Sequence, residues 1–115
     1  MPAKYNFRLC QGTDFRMPLV LKDKDKKVLD LTGYKVAMQV RPSLNSQEVD
    51  TLTSENGRIQ ITPKEGRILA IFPHEDTEKY PVRKLMYDME ITSSGNERTR
   101  ILEGVIDVSG EVTRV

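Results

Sequence analysis

The feature that most constrains this fold is a pair of long alternating segments between residues 85 and 108. In the first segment the alternate apolar positions are Leu85, Tyr87, Met89 and Ile91, and the positions between them are Met86, Asp88, Glu90 and Thr92. The second segment places on one face Leu102, Gly104, Ile106 and Val108. A period of two is typical of a strand that buries one side. We therefore predict two long antiparallel strands, joined by a turn at residues 93–97.

Six further segments predict a domain that consists almost entirely of strands. They cover residues 5–10, 15–21, 34–41, 49–53, 58–62 and 67–72. The segment 5–10 is expected to be an outer strand and 34–41 a central one, whereas Pro18 lacks a backbone donor and predicts an edge position or a bulge. Asn56-Gly57 is a strong hairpin signal between 49–53 and 58–62. Residues 73–81 predict one or two helical turns, because Pro81 disfavours helix at the residue before it.

Length and charge exclude several classes of protein. A chain of 115 residues fits one domain with a single core. It has 18 Lys and Arg against 17 Asp and Glu, interspersed along the sequence, so no basic stripe predicts a nucleic-acid partner. Apolar runs are far shorter than the ~20 residues of a membrane span, and no apolar signal segment follows Met1. We expect a soluble protein that has no leader and no membrane partner.

Few residues could support cofactor binding or catalysis. Cys10 is the sole cysteine, which excludes an intrachain disulfide and a cysteine-based zinc site. Asp23 and Asp25 are spaced like the first ligands of a calcium loop, but the sixth position is not glycine. His74 stands beside two acids and could act as a general base, yet no nucleophile motif or phosphate loop accompanies it. We predict no cofactor, no metal and no catalytic residue.

Asp88 and Glu90 carry the one enzymatic alternative. Two carboxylates at i and i+2 on the outward face of a strand could serve glycoside hydrolysis if a cleft formed between them. Outward polar residues are, however, the ordinary composition of a half-buried strand. Whether these carboxylates line a concave pocket decides how seriously a carbohydrate-active hydrolase must be considered.

The remaining interpretation is a protein that works through its surface. Edge strands and terminal segments of strand-like composition can add to a partner's sheet. The predicted contact residues lie at the two ends of the chain: Met1, Pro2, Ala3 and Lys4, and Val112, Thr113, Arg114 and Val115. The polar loops 22–27 and 42–47 are further candidates. A carbohydrate-binding module on a host surface would need exposed aromatic residues, but the sequence has no Trp and its pattern turns Tyr34 and Tyr87 inward.

Several strand and turn motifs together resemble those of small structural proteins of tailed bacteriophages. The motifs are Gln11-Gly12-Thr13-Asp14-Phe15, Leu31-Thr32-Gly33-Tyr34, Gln39-Val40-Arg41, Tyr87-Asp88-Met89-Glu90-Ile91 and the stretch from Gly104-Val105-Ile106-Asp107-Val108 to Val112-Thr113-Arg114. The likeness covers nearly the whole chain and includes the amino-terminal domain of baseplate upper proteins.

The resemblance implies an antiparallel immunoglobulin-like β-sandwich of about seven to nine strands with one short helical turn. It also implies a non-enzymatic virion protein of the tail, baseplate or neck, which would contact other virion proteins and symmetry copies of itself as a homo-oligomer. Baseplate proteins of this type continue into a stalk, whereas this sequence ends just after Arg114. The expected role is therefore an adaptor or attachment module, with a capsid decoration protein as the alternative.

Overall fold

The computed structural model describes residues 2–115, which form two β-sheets around one hydrophobic core. The strands are β1 (Ala3–Lys4), β2 (Phe7–Cys10), β3 (Phe15–Val20), β4 (Lys35–Arg41), β5 (Asp50–Thr53), β6 (Ile59–Thr62), β7 (Arg67–Phe72), β8 (Lys84–Thr92) and β9 (Arg98–Ser109). A single helical turn, α1 (His74–Thr77), precedes β8, and a 3-10 turn (Pro63–Glu65) joins β6 to β7. The nine described strands agree with the predicted number.

Each strand joins one of two sheets. The large sheet has the order β1-β9-β8-β4-β5, and β2 also pairs with β9. The small sheet has the order β3-β7-β6. Since β8 and β4 lie inside the large sheet, both can bury one face against the small sheet and expose the other. The prediction that residues 34–41 form a central strand is confirmed.

The β8–β9 hairpin is the framework of the large sheet, as predicted. The two strands are antiparallel, with Leu85 opposite Ile106 and Met89 opposite Leu102. All four of these side chains are buried, and the same alternation on β4 buries Val36, Met38 and Val40. A shift of register after Met89 marks a β-bulge, which locally increases the twist of the hairpin.

The small sheet closes the core from the other side. Its buried residues include Met17, Ile59, Ile68, Ala70 and Phe72. Aromatic rings join the sheets near the start of the chain, where the ring of Phe7 lies 5.1 Å from that of Phe15 and 5.4 Å from that of Tyr87. These distances are typical of favourable aromatic pairs.

The pairing of the first strands differs from the predicted arrangement. We expected one outer strand over residues 5–10 in an antiparallel sandwich, but β1 and β2 both run parallel to β9. Between them the strand is interrupted at Tyr5 and Asn6. The amide of Tyr5 still donates a hydrogen bond to the carbonyl of Glu103 at 2.9 Å. The alternation of residues 5–10 predicts a strand but cannot indicate its direction, because a parallel partner far along the chain leaves no local signal.

Gly104 is the residue that allows this pairing. A Cβ at this position would overlap the backbone carbonyl of Tyr5, so only glycine permits so close an approach. The same carbonyl accepts a 2.6 Å hydrogen bond from the hydroxyl of Tyr87. Burial, with a smaller contribution from Tyr5, raises the pKa of Tyr87 to about 12, so this hydroxyl remains a donor at physiological pH.

The edge and turn predictions are mostly confirmed. Pro18 lies in β3, which is an edge strand of the small sheet. At the turn before β4, Asp30 accepts a hydrogen bond from the amide of Thr32 at 3.0 Å, and Gly33 has a positive φ of 81°. The only described α-helical turn lies within the predicted segment 73–81.

The hairpin predicted at Asn56-Gly57 is wrong. The strands on either side, β5 and β6, belong to different sheets, so this connection crosses the sandwich. The side-chain oxygen of Asn56 accepts hydrogen bonds from the amides of Thr53 at 3.0 Å and Arg58 at 2.9 Å. Asn and Gly are used here for side-chain bonding and a positive φ at Gly57, which are also the properties that make them good hairpin residues.

No helix among the described residues is long and apolar enough to cross a membrane.

Candidate functional site

A shallow depression of about 610 Å³ lies on the outer face of the large sheet. Strands β4, β8 and β9 form its floor, and the loop after β4 and the segment around Lys4 form its sides. Asp88 and Glu90 both line it. The two carboxylates therefore lie in a concave surface, as the hydrolase alternative required, although they stand side by side on one strand.

Apolar side chains that are exposed or half-buried line part of the depression. Met86 is 42% exposed on β8 and Leu44 is 78% exposed on the loop after β4. Val105, on β9 directly opposite Met86, is half-buried. Because β8 and β9 are held by the core beneath them, this apolar area stands on rigid strands and has no covering segment among residues 2–115.

The charged residues around this area are close together. Asp88 and Glu103 lie directly opposite each other on β8 and β9, a placement that is unfavourable for like charges. Arg100 bridges them, with its Nε 3.3 Å from Asp88 and its Nη1 3.4 Å from Glu103. Among the described residues Arg100 is the one cation within ion-pair distance of these carboxylates, and Glu90 has no ion pair.

Arg41 fixes the opposite side of the depression. Its guanidinium donates to the side-chain oxygen of Gln39 and to the carbonyl of Ser46, both at 2.6 Å, and lies 3.6 Å from Glu48. These contacts tie the loop after β4, which carries Leu44, to the end of the strand. The loop 42–47, predicted as a contact loop, thus contributes part of the depression.

The predicted contact residues at the amino terminus are only partly free. Met1 lies outside the described residues, and Pro2 precedes β1. Ala3 and Lys4 already pair with Leu102 and Glu103, so this segment is paired on one side within the chain. β1 is the outermost strand of the large sheet, and its other edge has no partner strand among residues 2–115. Lys4 nevertheless lines the depression, a position that sequence reasoning did not anticipate.

The carboxyl-terminal residues behave differently. Val112, Thr113, Arg114 and Val115 are exposed and follow the end of β9 without regular secondary structure. Val112 is 95% exposed. The last backbone group that bonds to the domain is the amide of Glu111, which donates a hydrogen bond to the side-chain oxygen of Gln11 at 3.2 Å. The tail therefore neither extends β9 nor packs on the domain.

The loop 22–27 lies apart from the depression and is closed on itself. The carboxylate of Asp23 accepts hydrogen bonds from the amides of Asp25 at 2.8 Å and Lys27 at 3.0 Å. Its oxygen is therefore used in turn formation. In the described part of the chain no group of three or more His, Cys, Asp or Glu side chains could hold a metal ion.

His74, considered above as a general base, is exposed and links two connections of the chain, the one before β3 and the one after β7. Its amide and its Nδ1 contact the Oδ1 of Asp14 at 2.7 and 3.1 Å, and its Nε2 lies 2.8 Å from Glu75. The hydrogen bond to Asp14 and the charge of Glu75 raise the pKa of His74 above 6.5. The hydrogen bonds from His74 lower the pKa of Asp14 below 3.8.

These shifts predict the pH range in which the contact between His74 and Asp14 stabilises the domain. His74 contributes stability that is fully present below pH 6.5 and is lost as the pH rises through its raised pKa. Asp14 contributes stability that is present above pH 3.8 and is lost as the pH falls through its lowered pKa. An NMR titration of the His74 ring is expected to give a pKa above 6.5, which Asp14→Asn lowers and the control Asp25→Asn does not. Equal pKa values of His74 in all three proteins would contradict the contact between His74 and Asp14.

The most buried polar cluster of the domain gave no signal in the sequence. Arg58 makes a two-pronged ion pair with Asp50, at 2.8 and 3.2 Å, and lies 3.3 Å from Asp76. The hydroxyl of Tyr80 donates to the same Asp50 carboxylate at 2.6 Å. Asp50 lies on β5, Arg58 immediately before β6, and Asp76 and Tyr80 in the connection after β7, so the cluster exists only once the sheets have packed.

The electrostatics of this cluster indicate a structural role. Burial strongly raises the pKa of Tyr80, and the hydrogen bond to Asp50 raises it further. Burial opposes the charge of Arg58, but the hydrogen bonds and charge of Asp50 more than compensate, so the net pKa of Arg58 is raised. Tyr80 is thus held as a hydrogen-bond donor and Arg58 as a cation, and none of the four residues lines the depression on the large sheet.

Comparison with known proteins supports the fold. No protein-family model and no curated protein matches the chain. A chain in the crystal structure of ICOS in complex with ICOS-L and an anti ICOS-L VNAR domain is similar over 94% of this chain, with a TM-score of 0.52 and 14% identity. This protein spans 56% of that chain. Drosophila OTK, extracellular domains 3-5, aligns with 91% of this chain and 32% of its own, at 11% identity and a TM-score of 0.37.

The two-sheet arrangement and the first of these similarities establish an immunoglobulin-like β-sandwich. At such identity the similarity concerns the fold and carries no function. The predicted fold class is thus confirmed, with the parallel β1–β9 and β2–β9 pairings as its departure from a purely antiparallel sandwich.

Proposed function

We propose that this protein is a non-enzymatic structural component of a tailed-bacteriophage virion, made in the host cytoplasm and placed in the tail, baseplate or neck as an adaptor or attachment module. Its partners would be other virion proteins and symmetry copies of itself. The observation that carries the proposal is the depression on the large sheet, where Met86, Leu44 and Val105 are surrounded by charged side chains.

This surface has the composition of a protein interface. Interfaces combine an apolar centre with a polar rim, and the rim charges set orientation and exclude wrong partners. Here Arg100, Asp88 and Glu103 lie on the same strands as the apolar residues Met86 and Val105. The motif resemblance to phage structural proteins is what directs the choice of partner toward a virion, because many immunoglobulin-like sandwiches share such a face.

The termini and loops extend the proposed contact area. Lys4 and the loop 42–47 border the depression, and the tail from Val112 offers side chains that no part of the domain covers. The loop 22–27 would serve a separate contact, since it lies away from this face. If removal of residues 2–4 and 112–115 left incorporation into particles unchanged, the termini would have no part in assembly.

Met86→Glu is expected to reduce incorporation into particles by roughly tenfold or more, because a charge would be buried at the centre of the contact. The reduction would be measured as the amount of protein in purified particles relative to the amount expressed. Val82→Glu is a control, since Val82 is 58% exposed and lies outside both the depression and the loop 22–27. Equal incorporation of both variants would contradict the proposed face.

The same depression supports a second candidate, a carbohydrate-active hydrolase. Asp88 and Glu90 line a concavity large enough for a sugar. Catalytic carboxylates must, however, flank the scissile bond, whereas these two project from one strand and Asp88 is ion-paired with Arg100 at 3.3 Å. Release of reducing sugar from polysaccharides, lost in Asp88→Asn and Glu90→Gln, would establish this candidate in place of the first.

A further inference from the structure

We infer that the depression binds the carboxyl-terminal tail of a second copy of this chain, around Val112 and Arg114. This inference rests on the proposed assembly function and names the partner of the same face. It starts from two surfaces that match and that cannot meet within one chain. One is the rigid area around Met86 and Asp88, and the other is the exposed segment that follows Glu111.

The two surfaces are complementary in spacing. Met86 and Asp88 are alternate residues on one face of β8, which places them ~7 Å apart. Val112 and Arg114 are also alternate residues, so an extended tail presents them on one side at the same ~7 Å spacing. Such a tail can set Val112 on the apolar area while Arg114 faces the carboxylates. Val112 is 95% exposed and has no other apolar partner.

The two surfaces are complementary in charge. Asp88 and Glu103 lie directly opposite each other and share one bridging cation, Arg100, at 3.3 and 3.4 Å. Glu90 lies beside them on the same face, where the other lining cations are Lys4 and Arg41, the latter paired with Glu48 at 3.6 Å. A second guanidinium would relieve the remaining repulsion between these carboxylates. Arg114 is the cation that the tail brings, next to the apolar residues that the neighbouring area accommodates.

The tail of the same chain cannot make this contact. Glu103 lies six residues before Ser109, ~20 Å back along β9. Gln11 bonds both to the carbonyl of Ser109 at the end of β9 and to the amide of Glu111, so the tail starts at that end of the strand. The three residues from Glu111 to Arg114 span at most ~11 Å. The contact must therefore join two copies.

A contact between two different surfaces has a geometric consequence. The tail of one copy and the depression of the next form a heterologous, head-to-tail interface. Such interfaces generate rings when the rotation closes and open filaments when it does not. This is the symmetry that a repeated component of a tail or baseplate would use, and it differs from a face-to-face dimer.

Photo-cross-linking tests the inference directly. Val112 is replaced by p-benzoylphenylalanine, which inserts preferentially into methionine C–H bonds, and equal amounts of ¹⁴N- and ¹⁵N-labelled full chains are mixed over a concentration series. We expect adducts that join residue 112 of one isotope to Met86 of the other. The same photo-reactive residue at position 28 is the control and is expected to give no such adduct.

Charge exchange provides the second readout. Arg114→Glu is expected to lower the yield of mixed-isotope adducts about tenfold, and combining Arg114→Glu with Asp88→Lys is expected to restore most of it. Three results would each overturn the inference. They are adducts within single chains, equal yields from positions 112 and 28, and the absence of any mixed-isotope adduct. If Met86-dependent incorporation into particles persisted in that case, the assembly proposal would stand without the tail. Absence of the protein from particles would instead remove the assembly proposal.

Discussion

Arg58→Ala is expected to lower the free energy of unfolding by about 3–5 kcal/mol. The substitution removes both hydrogen bonds to Asp50, at 2.8 and 3.2 Å, and a third to the carbonyl of Ile71 at 2.9 Å. The Asp50 side chain is only 12% exposed, so its carboxylate would remain buried without its cation. An uncompensated buried charge costs far more than the intact pair contributes, which is why removing one partner has so large an effect.

Two further variants separate this cost from ordinary ion pairing. Arg67→Ala removes an ion pair with Glu65 in which both side chains are more than half exposed, and it should cost no more than about 1 kcal/mol. Tyr80→Phe removes one hydrogen bond to the charged Asp50 and should cost about 1.5–3 kcal/mol. Urea unfolding measures all three. If Arg58→Ala were no more destabilising than Arg67→Ala, the cluster would not be part of the structural framework.

Gly104→Val is the second substitution with a large expected effect, a loss of about 3 kcal/mol. The first added carbon would overlap the backbone carbonyl of Tyr5, and a backbone group cannot move aside by changing rotamer. The chain would have to withdraw β1 and the start of β2 from β9. That movement breaks the Tyr87 to Tyr5 hydrogen bond of 2.6 Å and uncovers Phe7, which is 8% exposed.

Hydrogen exchange distinguishes withdrawal of the first strands from a general loss of stability. The amides of Tyr5 and Val105, which bond to Glu103 and Asn6 at 2.9 Å each, should lose protection in Gly104→Val before the amides of β4 do. Gly95→Ala is the matched control, because its Cβ would meet nothing closer than 3.7 Å. Similar stability and similar exchange at Tyr5 in both variants would contradict the role assigned to Gly104.

The parts of the fold that the sequence predicts are those with a local signal. Period-two alternation in β4 and β8 depends only on which side of a strand is buried, and Pro18 marks an edge strand because it lacks a donor. The direction of β1 and β2 depends on a partner nearly a hundred residues away, and the Asn56-Gly57 connection depends on which sheet β6 joins. Neither property is encoded in the spacing of nearby residues.

The candidate site likewise has features that a local pattern predicts and features that depend on distant parts of the chain. The alternation predicts that Met86, Asp88 and Glu90 point outward, and the structure confirms that they share the outer face of β8, with Met86 exposed and the two acids half-buried. The depression itself lies between the outer face of β4, β8 and β9 and the loop that carries Leu44, which Arg41 holds by its bond to Ser46. Lys4 joins it only because β1 pairs with β9. Similarly, the cluster of Arg58, Asp50 and Tyr80 gathers residues up to 30 positions apart, and no local pattern marks them.

The most direct test of the proposed function is electron microscopy of the intact particle, at a resolution that distinguishes side chains. We predict density for this sandwich in many symmetric copies in the tail, baseplate or neck. In each copy Met86 and the carboxylates of Asp88 and Glu103 should be covered by a neighbouring subunit. Particles that lack this density, or that show it with the outer face of the large sheet open to solvent, would contradict the assignment of that face to virion assembly.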